Sequence, residues 1–188
     1  METISVQKRD LTVKAKKMRR LGMIPGNVFG KSLPDSISIQ MDAAAARRLI
    51  RQKREGSKLS LNIEGQMIPV QIKEFSFSPV NNEILHINFQ ALSADEKVNS
   101  VIHILLTKDE KIAGQLDKML LEIPYSSLPE DMIDTITIDL DGLKSGTALT
   151  VKDIPELMNE KIELQADLDE IVLRINDRKP HVPEPSEV

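Results

Sequence analysis

The chain has no cysteine and no tryptophan, and its aromatic residues are four Phe and one Tyr among 188 residues. The missing cysteines exclude disulfides, Fe–S clusters, thiolate zinc sites and a Cys nucleophile, and they suit a reducing, cytoplasmic setting. With so few rings, Ile, Leu, Val and Met must fill the interior, so β-branched residues do much of the packing. Long apolar runs are also missing. No stretch approaches the ~20 apolar residues of a membrane span, and METISVQKRD holds no run of signal-peptide length. The expectation is a soluble protein with no membrane partner.

Histidine is scarce too, with three residues at 86, 103 and 181. No His-rich metal site and no Ser-His-Asp grouping can be assembled from them, and His103, inside an apolar strand run, reads as structural. Asp139 and Asp141 flank a turn at Gly142, where Asp is common for backbone reasons. GLKSGT lacks the glycine spacing and the Gly-Lys-Ser/Thr ending of a P-loop. The chain is therefore read as a non-enzyme with no cofactor, no metal and no small-molecule substrate.

What the chain does have is charge, unevenly placed. Residues 1–90 hold 15 Lys and Arg against 8 Asp and Glu, a balance of +7, while residues 91–188 hold 10 against 21, a balance of −11. A pI near 5.5 averages over these halves and hides a basic module able to bind a polyanion. The split also suits two units of about 90 residues each. The expected boundaries are 1–91 for a basic domain, 92–177 for an acidic β-rich domain and 178–188 for a disordered tail, RKPHVPEPSEV, with three prolines and little to bury.

Ala15, Met18 and Leu21 recur at helical spacing before Gly22, which predicts a short basic helix ending there. Ile24 to Phe29, with Pro25 at its edge, and Ser36 to Met41 read as strands joined by a turn at Lys31 to Asp35. Asp42 caps a second helix that ends before Gly56. Its Ala43, Ala46, Leu49 and Ile50 form one stripe, and Arg47, Arg51 and Arg54 fall on another face. Leu59 to Glu64, Gly65 and Met67 to Phe77 make a hairpin, and Ile84 to Phe89 a closing strand. The second half reads as short strands in VNSVIHILLT, KMLLEIPYS, DTITIDL, TALTV, KIELQAD and EIVLRIN, with a helical turn around Ser127 to Met132. The fold class is mostly β with short helices (α+β).

Seven bases and one acid lie between Lys8 and Arg20: Lys8, Arg9, Lys14, Lys16, Lys17, Arg19 and Arg20 against Asp10. Such a cluster attracts phosphates with salt-dependent, sequence-independent affinity; it is otherwise a solvated helix face. Arg47, Arg48, Arg51, Lys53 and Arg54 make a second cluster that solvation explains about as well. A helix-turn-helix is disfavoured, since roughly 20 residues with strand character separate the helices. Strand alternation puts His86 and Asn88 on one face, with Leu85, Ile87 and Phe89 on the other. The pair is either ordinary exposed polar surface or a set of groups that hydrogen-bond base edges or 2′-hydroxyls in an RNA minor groove.

KAKKMRRLGMIPGNVFG resembles the signature of the bacterial 5S-rRNA-binding large-subunit ribosomal protein family that includes the general stress protein Ctc: a basic helix, Gly-x-Ile-Pro, small and apolar residues, then Tyr/Phe-Gly. ILHINFQ, about sixty residues later, resembles that family's His-x-Asp-Phe strand. The acidic second half fits the longer, two-domain members. The resemblance implies an N-terminal β-barrel of about six strands bound to 5S rRNA in the large ribosomal subunit, with Lys16, Lys17, Arg19 and Arg20 on phosphates. Phe29 takes the aromatic position before the glycine, and His86 and Asn88 the His-x-Asp positions. Lys8, Arg9, Lys14 and Lys73 complete the expected RNA-binding set. Leu11, Thr12 and Val13 stand where the family has a Gly-Lys-Gly loop, and Asn88 replaces Asp. The acidic half is expected to face away from the RNA and to meet neighbouring ribosomal proteins. The alternative is a divergent stress-related paralogue with weak 5S rRNA affinity that acts as a protein-interaction module.

Overall fold

The structure, a computed structural model, describes residues 2–112 and 114–177; the expected tail at 178–188 lies outside them. The first half runs β1 (Thr3–Lys8), α1 (Ala15–Arg20), β2 (Met23–Phe29), β3 (Ile37–Asp42), α2 (Ala43–Gln52), β4 (Lys58–Ile63), β5 (Gln66–Phe77) and β6 (Ile84–Ala91). These six strands close into a barrel in the order β1-β3-β2-β6-β5-β4. The β1–β4 and β2–β6 pairs are parallel and the other four antiparallel. Alternation explains the closure. Val28, Ile39, Leu59, Leu61, Val70, Ile87 and Phe89 all point inward and have no exposed surface. Each such burial contributes about 1.5–3 kcal/mol before the entropy of ordering is counted.

α2 adds Ala43, Ala46 and Leu49 to the same core, with Ile50 half-buried beside them. Asp42 Oδ1 caps it, accepting from the Ala44 and Ala45 amides at 2.8 and 3.2 Å. The helix ends at Gln52, so Arg54 is not on its face as the spacing predicted. Lys53 turns extended because the chain must reach Gly56, whose amide and neighbour Ser57 bond to Ile72 of β5 at 2.7 and 2.9 Å. The β4–β5 turn uses Glu64 and Gly65, both at positive φ, which matches strand twist in a two-residue hairpin. Pro25 lies inside β2, buried and opposite Gln40, rather than at the strand's edge. It is tolerated there because pairing with β6 begins only at Gly26, so the missing N–H costs no bond on that side.

β5 carries two irregularities that set the site. Ile72 pairs with Phe89 and Glu74 with Asn88, leaving Lys73 as an extra residue; Ser76 pairs with His86 and Phe77 with Ile84, leaving Leu85 extra on β6. The first bulge shifts the alternation so that Val70, Ile72 and then Phe75 pack on the core, while Glu74 and Ser76 turn outward. The second places Ile84 inside and leaves Leu85 only half-buried, outside the core where strand alternation had put it.

The second half contains β7 (Val98–Thr107), β8 (Gln115–Lys118), β9 (Glu122–Ser127), β10 (Thr135–Asp139), β11 (Ala148–Thr150), β12 (Ile162–Leu164) and β13 (Ile171–Asn176), with 3-10 turns at Asp109–Lys111, Val151–Asp153 and Pro155–Leu157. They form a four-stranded sheet, β10-β7-β9-β12, and a three-stranded one, β11-β13-β8. Two expectations need correction. KMLLEIPYS is not one strand: its chain leaves β8 at Lys118 and enters β9 at Glu122, the Met119 and Leu120 amides both bonding to the Val172 carbonyl. Ser127 to Met132 is no helical turn, because Ser127 ends β9 and Leu128 to Asp131 close a β-turn around Pro129. The sole tyrosine, Tyr125, is fully buried; its hydroxyl donates to the Ile133 carbonyl and accepts from the Ile133 amide at 3.0 and 2.8 Å, and burial pushes its pKa up.

The halves meet along a polar seam. Ser100 Oγ donates to the Gly56 carbonyl at 3.1 Å, Gln71 Nε2 to the Asn99 carbonyl at 3.1 Å, and Lys58 to the Pro129 carbonyl. His103 is buried, with Nε2 at 2.8 Å from the Glu55 carbonyl, the structural role expected of it. Gly56 has φ +85°, and a Cβ there would lie 2.6 Å from Ser100 Oγ and 2.9 Å from the Val101 carbonyl.

Candidate nucleic-acid interface

On the outer surface of the barrel the registers line up a polar row across strands. Glu74 faces Asn88, Asn88 faces Asn27, and Asn27 faces Ser38. Arg9, just past β1, bonds through its amide to the Ser38 carbonyl at 2.9 Å. Ser38 Oγ donates to Asn27 Oδ1 at 3.1 Å and Asn88 Nδ2 to Glu74 at 3.1 Å. His86 and Asn88 therefore share the outer face as alternation predicts, both half-buried, with Ile87 and Phe89 inside. Phe29, 37% exposed and opposite Gln90, extends the surface along β2 and β6.

His86, opposite Ser76 and two residues from Asn88 along β6, is the titratable group beside this row. Burial lowers its imidazole pKa, and the Arg9 charge works in the same direction; Glu74 and a hydrogen bond with Asn88 oppose them, and Arg19 lowers it further. The ring is neutral at pH 7 and offers both a donor and an acceptor. Arg9 Nε is buried with no hydrogen-bond partner among the described residues. An unpaired buried donor is costly unless water or a ligand supplies the acceptor.

α1 packs its one fully buried residue, Met18, toward the barrel and leaves Lys16, Lys17 and Arg20 exposed, with Lys14 exposed at its N-cap. Gly22, at φ +79°, turns the chain from the helix into β2, a conformation open to glycine. Arg19 reaches back to the barrel, where Nη1 donates to the Leu85 carbonyl at 3.3 Å. Ahead of the helix, Asp10 Oδ1 accepts from the Thr12 amide and hydroxyl at 2.9 and 2.6 Å. These bonds hold the Asp10 carboxyl below its ordinary value and give Leu11 to Val13 a turn of their own.

Ion pairing separates the two halves. Lys97, Lys108, Lys118, Lys152 and Lys161 of the acidic half each meet a carboxylate, and the pKa values of Lys108, Lys152 and Lys161 are raised by those partners. In the same half Asp139 and Asp141 hold Lys108 at 2.6 and 3.2 Å. Among the described residues, Arg9, Lys14, Lys16, Lys17, Arg19 and Arg20 have no ion pair, so their charge is available to an anion.

Two expected site residues fall apart from this group. Lys8 is held by Glu64 at 3.0 Å. Lys73, the bulge residue, borders a small cavity of about 210 Å3 at the seam with Asn99 and Gln165. Sequence reading missed Glu74, Asn27 and Ser38. Glu74 had a signal in the apolar spacing Val70, Ile72, Phe75, whose skipped step is the bulge; Asn27 and Ser38 had none, since cross-strand partners are distant in the chain. Among the described residues no cluster of three or more His, Asp or Glu could hold a metal, and no helix is long and apolar enough to cross a membrane.

Both halves of the chain are similar to known proteins. Residues 4–89 match the model of the Ribosomal L25p family, and residues 97–179 that of the ribosomal protein TL5 C-terminal domain. A relative from Akkermansia muciniphila is 31% identical over 157 residues, covering 81% of this chain and 78% of its own. Relatives from Listeria monocytogenes (25% identical, 93% and 85% covered) and Bacillus pumilus (26%, 90% and 82%) are similar over most of their length. All three are named large ribosomal subunit protein bL25.

Proposed function

This chain belongs to the Ribosomal L25p family, in its long two-domain form, and on that premise we propose that it is a structural component of the large ribosomal subunit that binds 5S rRNA through the barrel. The family is structural and non-enzymatic. Its members work in ribosomes, which in bacteria are cytoplasmic, and that location is proposed for this chain.

The observation that carries the reading is the row of Glu74, Asn88, Asn27 and Ser38 with Arg9 and His86 beside it, flanked by the unpaired cations of α1. The cations supply phosphate contacts, which position RNA without reading it. The row supplies the reading: a neutral imidazole and carboxamides on a convex strand surface suit the wide, shallow RNA minor groove with its 2′-hydroxyls. Bound RNA would offer Arg9 Nε an acceptor that no described residue supplies. The acidic half docks through 55–58, 71–73 and the Lys31–Glu96 ion pair, a set that shares no residue with this row. With most of its lysines already paired, it repels phosphate and is suited to contacts with neighbouring proteins.

Titration of the full chain with 5S rRNA and with an unrelated folded RNA across a salt series tests the proposal. Binding should be selective for 5S rRNA, should weaken steeply with salt, and should lose about 1–3 kcal/mol on His86→Ala or Asn88→Ala. Equal, weak binding to both RNAs would sink it.

A further inference from the structure

A groove of about 730 Å3 lies between α1, α2 and the β5–β6 loop, beside the row just described. Lys16, Arg19 and Arg20 line it from α1, and Arg47 and Arg51 line it from α2; Glu83 is its one acid. The second basic cluster, which sequence alone leaves as a solvated helix face, thus shares a concave surface with the first. α2 contains no acid, so Arg47 and Arg51 have no partner on their own helix, and among the described residues neither forms an ion pair. Concave walls of one sign focus potential more strongly than a flat surface does.

The floor is apolar. Ile50, Ile84 and Leu85 line it, and Phe77 stands at its edge 40% exposed. Phe77 is braced by Phe75, with ring centroids 6.4 Å apart and planes tilted by 49°. Leu85 reaches this place because it is the extra residue of the second irregularity. Asn81 and Asn82 of the loop add carboxamides, which both donate and accept.

Guanidinium groups around a braced aromatic ring and a small apolar floor are the parts of a single-strand nucleic-acid site: phosphates take the charge, and a base stacks on the ring. We propose that this groove holds a single-stranded segment of RNA, its phosphates on Arg20, Arg47 and Arg51 and a base against Phe77 and Leu85. A peptide of Asp and Glu alone would satisfy the arginines but brings no ring to stack on Phe77. The proposal rests on the 5S rRNA reading for the identity of the RNA, though the groove's chemistry stands apart from it.

The full chain, the double variant Arg47→Ala/Arg51→Ala and the single variant Phe77→Ala are titrated with a short oligouridylate, with polyglutamate and with 5S rRNA across a salt series. All three substituted residues are exposed, so the variants keep the fold, which circular dichroism verifies. For oligouridylate the double variant should show a salt slope shallower by about 1.4, because two phosphates of a single strand are no longer neutralised. Phe77→Ala should weaken it roughly 5- to 150-fold. Wild-type slope and affinity in both variants overturn the proposal, as does tighter binding of polyglutamate than of oligouridylate by the unaltered chain. If 5S rRNA binds selectively while the variants match wild type on every probe, the groove proposal falls and the ribosomal reading stands. If oligouridylate behaves as expected while 5S rRNA is bound no better than an unrelated RNA, the groove stands and the 5S reading falls.

Discussion

Replacing Arg9 by Met separates the cost of an unpaired guanidinium from its use. Arg9 is half-buried, anchored by its amide to Ser38, with Nε buried and unpartnered among the described residues. An orphaned buried donor costs about 1–3 kcal/mol. Met keeps an unbranched apolar stem of similar reach and removes both donor and charge. The end of the guanidinium also packs against its surroundings, and Met gives up that packing. The RNA-free protein should therefore gain about 1 kcal/mol, which for a chain of this length raises the melting temperature by about 2–4 °C. The same change removes a cation from the RNA face, so 5S rRNA binding should weaken and its salt slope flatten by about 0.7–0.9. A third readout is the neighbour. The Arg9 charge depresses His86, so the imidazole NMR signals of His86 should titrate at higher pH in Arg9→Met than in wild type. Thermal melts, salt-series titrations and NMR together test the reasoning. A variant that melts lower and binds 5S rRNA as well as wild type would refute it, since Arg9 would then be structural.

Further outcomes follow from other particulars. Asp42→Ala removes the acceptor for two α2 amides and should cost about 1 kcal/mol in urea unfolding, while Asp42→Asn should lose far less. Gly56→Ala puts a Cβ against Ser100 Oγ and the Val101 carbonyl at a positive φ; the backbone penalty alone is about 1–2 kcal/mol, and calorimetry should show a larger total loss than any exposed Gly→Ala change. His86 has a folded pKa below its unfolded value of about 6.5, so the folded state binds fewer protons. Stability should be full above about pH 6.5 and be lost as pH falls through the folded pKa, and His86→Gln should flatten that fall in urea midpoints.

The strands of the first half were legible where residues obey a local period, and their closure into a barrel only through the family resemblance. Ile39 and Met41, Leu59 and Leu61, and Ile87 and Phe89 alternate inward as read, and the Asp42 cap and the α2 stripe of Ala43, Ala46 and Leu49 stand where their spacing put them. Reading failed where a tertiary demand interrupts the period. Lys73 and Leu85 are extra residues forced by bulges, so Leu85 leaves the core for the groove and Glu74 turns toward Asn88. Arg54 drops off α2 because the chain must reach the seam at Gly56. β8, with the sequence QLDK, carries almost no strand signal of its own and is held by pairing with β13. The site was half legible for the same reason. His86 and Asn88 share a strand and are two residues apart, whereas Arg9, Asn27 and Ser38 join them only through cross-strand register, and Arg47 and Arg51 join α1 only through the packing of two helices on one barrel.

Hydrogen exchange of the full chain with and without 5S rRNA tests the central claim most directly. The amides of residues 9–20, in an exposed turn and a short helix, exchange readily in the free protein and would be covered by RNA on the His86 face. Protection should increase there and stay unchanged over the acidic strands β10 and β12. Protection confined to β10 and β12, with residues 9–20 unchanged, would contradict it.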